Sequence, residues 1–185
     1  MPRREHLRSR ISGFTLMELI ITILVMSILL GIGIPSYLQF KEDNTLQGAA
    51  QALYSDIQFA RSEAIKRDTD DIAVHLFQTG NDWCYQVSDN SNCGSCGDSD
   101  CDIHGDGILR GVSWSSYPNV SMTSSTSKVL IQSRRATINN NQIIFSYGQT
   151  GKEIEVRTTP LGRVFMCTPI GKAGLTGVDK CPSSP

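Results

Sequence analysis

The chain has 185 residues, of which 39% are hydrophobic and 19% charged, and its formal net charge is −1. That length has room for one anchor helix and one modest globular domain with a core large enough to fold, and it excludes a large multidomain machine. The near-neutral total hides a division by sign: residues 68–106 carry nine acids and no lysine or arginine, whereas residues 107–185 carry nine basic residues and three acids.

Residues 1–13 set Arg3, Arg4, Arg8 and Arg10 against a single Glu5. This is the short basic flank that holds an N-terminus on the cytoplasmic side of a membrane. Gly13 ends it, and Phe14-Thr15-Leu16-Met17-Glu18 leads into an apolar run from Leu19 to Ile34. A charged side chain at the centre of a bilayer costs roughly 2.5 to 3.5 kcal/mol on insertion scales, so Glu18 calls for a cationic partner. Cleavage after Gly13 would supply one, because Phe14 would then carry a free amine able to neutralise Glu18 of a neighbouring copy. An ordinary secretory signal would use Leu19–Leu30 as its apolar core and Gly31-Ile32-Gly33 as its cleavage site, but it has no use for a bordering glutamate. An uncut signal anchor is the other plain reading.

The segment Gly13-Phe14-Thr15-Leu16-Met17-Glu18 resembles the prepilin peptidase site of the type IV pilin superfamily. The resemblance implies that residues 1–13 are a leader removed by prepilin peptidase. It further implies that Phe14 is the N-methylated first residue of the mature chain and that Glu18 is the carboxylate used in assembly.

Helical signals continue beyond the apolar run. Leu46, Ala49, Ala50, Leu53, Ile57, Ala60 and Ala64 recur at three- and four-residue spacing and form one apolar stripe. The spacing predicts a single helix from Phe14 to Arg67, with residues 14–35 as its transmembrane half and residues 36–67 as its amphipathic half. At 1.5 Å per residue it would extend about 80 Å, far beyond the roughly 30 Å of hydrocarbon. Pro35 lacks a backbone donor and clashes with the preceding turn, so a kink or local melting is expected there, helped by Gly31 and Gly33. In the pilin family a proline at the corresponding mature position is associated with a loosened helix in the filament.

Residues 68–185 read as a β head. Short apolar runs at 72–77, 83–87, 109–114, 129–132, 143–147, 153–158 and 163–167 predict seven strands, with residues 121–127 a loop or an edge. A long helix followed by strands indicates an α+β fold with the helix packed on an antiparallel sheet. Cys84, Cys93, Cys96, Cys101, Cys167 and Cys181 all lie beyond the membrane segment, on the side where disulfides persist. Six cysteines allow 15 connectivities. Cys167 with Cys181 is the pair we expect first, closing a loop worth about 3 kcal/mol on the chain-entropy model. Cys93-Gly94-Ser95-Cys96 with Cys101 and His104 has zinc-like spacing, but the oxidising compartment favours bridges. Asp98, Asp100, Asp102 and Asp106 are spaced like a calcium loop. However, Ile103 stands where the sharp-turn glycine belongs and no closing glutamate follows, so we expect no metal and no cofactor.

Residues 83–89, Gly105-Asp106-Gly107-Ile108-Leu109-Arg110, Ile143-Ile144-Phe145, Gly151 and Gly162-Arg163-Val164-Phe165-Met166-Cys167 resemble, in order, the strands and turns of the FimU/FimT/GspH-like branch of minor pilins and pseudopilins. The cysteine-rich insert at 92–101 departs from a minimal member. The resemblance implies a minor pilin of a type IV pilus, or fimbrium, that primes assembly or sits at the tip. It would reside first in the inner membrane and then in the filament, with other minor and major pilins as partners. A pseudopilin of a type II secretion system and a DNA-binding minor pilin for DNA uptake are the alternatives. For the latter, Arg134, Arg135, Lys152, Arg157, Arg163, Lys172 and Lys180 are the candidate phosphate contacts. DNA-binding members are associated with a Gly-Arg-x-Arg motif, and here Phe165 takes the place of the second arginine. Without a nucleophile elbow, a phosphate-binding glycine loop or a His-Glu-x-x-His helix, the sequence is read as that of a non-enzyme.

Overall fold

In the computed structural model residues 13–80, 82–89, 92–105, 107–135, 137–148 and 150–182 are described. The basic flank with Arg3, Arg4, Arg8 and Arg10, and also Asp106, fall outside them. Helix α1 spans Leu16–Arg67. The chain divides into two compact units, one reaching to Phe40 and the other starting at Lys41.

In the first unit, every large apolar side chain from Leu16 to Phe40 is exposed. α1 remains helical through Gly31, Gly33 and Pro35, so of the kink or local melting expected there this single chain shows no melted turn. A single proline forfeits one backbone hydrogen bond, whereas melting would free several donors and acceptors along an apolar segment.

In the second unit, the apolar stripe of α1 is wholly buried: Leu46, Ala49, Ala50, Leu53, Ile57, Ala60 and Ala64. The helix ends in a Schellman-type turn, where Thr69 N–H reaches the Ala64 carbonyl at 3.2 Å and Asp68 takes a positive φ of 49° in the position glycine usually fills. Lys66 and Arg67 lie in the last turn, where cations favour the helix dipole.

Nine strands follow among the described residues: β1 (Ala73–Thr79), β2 (Asp82–Ser88), β3 (Arg110–Ser113), β4 (Val120–Ser124), β5 (Lys128–Gln132), β6 (Thr137–Ile138), β7 (Asn141–Tyr147), β8 (Glu153–Thr158) and β9 (Val164–Cys167). They form a five-stranded sheet in the order β3-β2-β1-β5-β6 and a four-stranded sheet in the order β4-β7-β8-β9, with antiparallel pairing throughout. The α1 stripe and inward residues of both sheets share one core that includes Trp83, Tyr85, Phe145, Ile143 and Ile154. Trp83 packs edge-on against Phe145 at 5.3 Å, and its Nε1–H donates to the Val120 carbonyl at 2.7 Å.

The α+β architecture is therefore a helix packed on antiparallel sheets, with two more strands than the seven expected. β4 forms the edge of its sheet within the Ser/Thr-rich stretch expected to be a loop or an edge, and only its Val120 and Met122 face inward. β6 is two residues long.

Two strands are buried on both faces. Trp83 to Ser88 in β2 and Ile154 to Thr158 in β8 show no alternation of burial. In each case a disulfide-closed segment covers the outer face. Over β2 lies the insert, held by Cys84–Cys96 and Cys93–Cys101. Gln86 reaches into that insert, with its amide placed to donate to the Ser95 carbonyl and accept from Gly97 N–H. Over β8 lies the C-terminal tail, held by Cys167–Cys181 with a Cα separation of 4.8 Å.

Candidate functional site

The N-terminal segment is built around a helix cap. Thr15 lies just before α1, its Oγ1 accepts from Glu18 N–H at 3.2 Å, and its carbonyl accepts from Leu19 N–H at 3.1 Å. Thr15 is thus the cap residue, and Glu18 stands three positions on, as in a capping box. The carboxylate lies in the first turn, near the positive end of the helix dipole. The sequence reading passed over Thr15, although Thr-x-x-Glu ahead of an apolar run is the legible signal. Phe14 is exposed. Nothing lies within 4 Å of where a Cβ at Gly13 would stand, so local packing does not demand the glycine. α1 is also long and apolar enough to cross a membrane, with none of its apolar window buried.

In the head, polar side chains are organised into two clusters that the sequence reading did not assemble, one running from buried Asp56 and Tyr85 out to exposed Arg110, Arg67 and His104, the other buried. Asp56 interrupts the apolar stripe of α1 and is buried. Its Oδ2 accepts from the Tyr85 hydroxyl at 3.0 Å and its Oδ1 accepts from Arg110 Nε at 2.8 Å. Burial, then the Asp56 charge, push the Tyr85 hydroxyl far above its ordinary pKa, so it stays a donor. The Arg110 guanidinium lies 3.8 Å from the centre of the Phe59 ring, and Phe59 meets His104 edge-on at 6.3 Å. Arg67 donates to Asp89 Oδ2 at 2.9 Å and to His104 Nδ1 at 2.7 Å. This cluster pins the C-terminal turns of α1 to β2, β3 and the loop segments at Asp89 and His104.

The second cluster lies under the tail. Arg157 holds Glu155 with two hydrogen bonds, at 2.8 and 3.2 Å, and Arg157 Nη1 donates to the Pro182 carbonyl at 3.3 Å. Glu155 Oε2 lies 3.4 Å from Cys181 Sγ. Glu155, Cys167 and Cys181 group closely enough to resemble a ligand set, but both sulfurs are bonded to each other and Arg157 occupies the carboxylate.

The sequence-predicted candidates distribute as follows. Cys93 and Cys96 join different partners, Cys101 and Cys84, so the zinc-like spacing serves two bridges. In the acidic loop, Asp98 accepts from Asp100 N–H at 3.1 Å, while Asp102 accepts from His104 N–H at 2.9 Å and from Gly107 N–H. Those backbone donors, His104 first, hold Asp102 below the usual carboxylate range. These carboxylates cap their own loop.

Three of the seven proposed phosphate contacts are already neutralised. Lys152 Nζ lies 2.8 Å from Asp43 and 3.6 Å from Glu42, Arg157 is taken by Glu155, and Lys172 pairs with Glu153. Asp43 above all raises the Lys152 pKa beyond its ordinary value. Arg134, Arg135, Arg163 and Lys180 are exposed. His75, opposite Lys128 on the neighbouring strand, is buried, and burial first, then the Lys128 charge, lower its pKa below 6.5.

The family profile described as type II transport protein GspH matches residues 49–162. The profile described as the prokaryotic N-terminal methylation motif matches residues 8–34. No curated protein matches the chain. Among solved structures, the solution structure of E. coli GspH is similar at 10% identity and a TM-score of 0.43, covering 68% of this chain and 89% of that one. A GspH profile across most of the head, joined to a methylation motif over a capped apolar helix, places the chain in the GspH family of type IV pilin-like minor pilins and pseudopilins.

Proposed function

We propose that this chain is a minor pilin that enters a type IV pilus through its N-terminal helix and acts at or near the tip, priming assembly. Prepilin peptidase cuts after Gly13, Phe14 is N-methylated, and residues 14–35 hold the subunit in the inner membrane until it joins the filament. Glu18 then pairs with the Phe14 amine of an adjoining pilin. The observation that carries this reading is a lone carboxylate, three residues past the Thr15 cap, at the head of an exposed apolar helix. Its role is non-enzymatic, in keeping with a family of filament subunits.

A second reading, a pseudopilin of a type II secretion system, is favoured by the description of the family that matches the head. One deletion strain tests both. Loss of surface pili with normal secretion of exoproteins supports the pilus. The reverse pattern assigns the chain to secretion, and a mature N-terminus other than methylated Phe14 sinks both.

A further inference from the structure

The outer edge of β9 is only partly used. β9 pairs with β8 along one side, in the register Glu155↔Cys167 to Thr158↔Val164. Just beyond its end, Thr168 turns its backbone outward. Thr168 N–H donates to the Asp179 carbonyl at 2.7 Å, and the Thr168 carbonyl accepts from Cys181 N–H at 2.8 Å. That makes a parallel bridge between Thr168 and Lys180. At the other end, Arg163 turns inward, its carbonyl accepting from Thr159 N–H at 3.0 Å. Backbone groups alternate sides along a strand. Val164 and Met166 therefore aim their N–H and carbonyl groups at the same outer edge as Thr168, and no strand pairs with them there among the described residues.

A cleft of about 490 Å³ opens beside this stretch. Phe165, Arg163, Thr159, Asp179, Lys180 and Pro182 help to line it. Two of these are exposed cations, Arg163 and Lys180, neither of which forms an ion pair among the described residues, set against the carboxylate of Asp179. Phe165 supplies a half-buried aromatic surface between them. The tail shows that the edge accepts a backbone partner, and the disulfide Cys167–Cys181 fixes the tail where the ladder stops.

We infer that β9 and this cleft take an extended, carboxylate-bearing peptide segment of a protein partner, which continues the ladder begun by the tail. Its backbone bonds to Val164 and Met166, its carboxylates meet Arg163 and Lys180, and one face of it rests on Phe165. Main-chain hydrogen bonds give such strand addition its affinity, and the flanking charges and ring select the sequence. The assignment does not depend on which filament the chain joins.

The test uses the full chain in detergent micelles and a fluorescein-labelled ten-residue peptide of alternating valine and glutamate, read by fluorescence anisotropy. Saturable binding is expected. N-methylation of alternate backbone amides, tried in both registers, should weaken it at least about tenfold in one of them, because one register removes the donors that face β9. Reversing both cations with Arg163→Glu and Lys180→Glu should weaken it by a similar factor without moving the thermal midpoint. The methylation comparison needs no variant, so it stands even if the double variant misfolds. Absence of saturable binding, or equal binding of parent and both methylated peptides, overturns the inference. So does tighter binding of a ten-nucleotide oligothymidylate than of the peptide, which would give the cleft to nucleic acid.

Discussion

Glu18 stands at a capping-box position and is also the carboxylate we propose for assembly, and a single substitution separates the two. As the third residue after the Thr15 cap, it stands where a capping box uses either Glu or Gln. As the proposed partner of a neighbouring Phe14 amine, only its charge will serve. Glu18→Gln should therefore leave helix start and membrane insertion intact while lowering the amount of subunit in sheared filaments by about tenfold, in line with loss of a close ion pair. Equal incorporation of the Gln variant would remove the pairing role. His75 offers a second residue-scale test. Its pKa is depressed in the folded chain, mainly by burial. Below about pH 6.5 the unfolded chain takes up a proton that the folded chain refuses, so His75 supports stability above that pH, and the support drains away as pH falls toward the folded value. The thermal midpoint should drop between pH 7.5 and 5.5, and His75→Gln should flatten that slope; parallel slopes would contradict it. The residue scale is also where sequence reading fell short. The basic surplus of residues 107–185 was legible as charge, but Lys152 and Lys172 meet their acids only through tertiary contacts, Asp43 lying 109 positions from Lys152, whereas Arg157 meets Glu155 two residues back on the same strand.

At the scale of elements, the disulfides act as fasteners for covers laid over sheet faces. A strand buried on one face alternates, as β5 does with Val129 and Ile131 inward. β2 and β8 depart from that pattern because the insert and the tail lie over them. This explains what was legible. The α1 stripe has a strict helical period and could be read residue by residue, and seven strand runs announced themselves by apolar content. β4 was legible only as a loop or an edge, since its two inward residues sit among serines and threonines, and it is the edge strand of its sheet. The insert over β2 was visible as a cysteine cluster but gave no sign of its pairing. The tail provides the prediction. Replacing Cys167 and Cys181 together by alanine frees a loop with a sequence separation of 14, at a cost of about 3 kcal/mol on the chain-entropy model. Proteolysis between residues 168 and 181 should also speed up, because the tail then keeps only non-covalent anchors: the Arg157 and Thr168 contacts, the Lys172–Glu153 pair, the Gln47–Thr176 hydrogen bond and buried Leu175. An unchanged thermal midpoint with both cysteines absent would show that the cover is fastened by something else.

For the molecule as a whole, the core lies entirely within the second unit. Its buried apolar residues begin at Leu46 and continue to Leu175. Among its described residues the first unit contributes no buried residue. All three disulfides and all the ion pairs described above also fall at or beyond residue 42. Residues 41–185, exported to an oxidising compartment, should therefore fold without the anchor helix. The expected product is soluble, carries no free thiols, and unfolds in one cooperative transition. Starting instead at residue 65 removes Leu46, Leu53, Ile57 and their neighbours from the centre of the core. Truncating each large side chain of that kind costs about 2–5 kcal/mol, so these three alone match the 5–15 kcal/mol by which a domain of this size is stable, before the loss of the alanines beside them. The shorter chain should fail to fold, whereas non-cooperative melting of residues 41–185 themselves would mean that the head depends on the anchor helix after all.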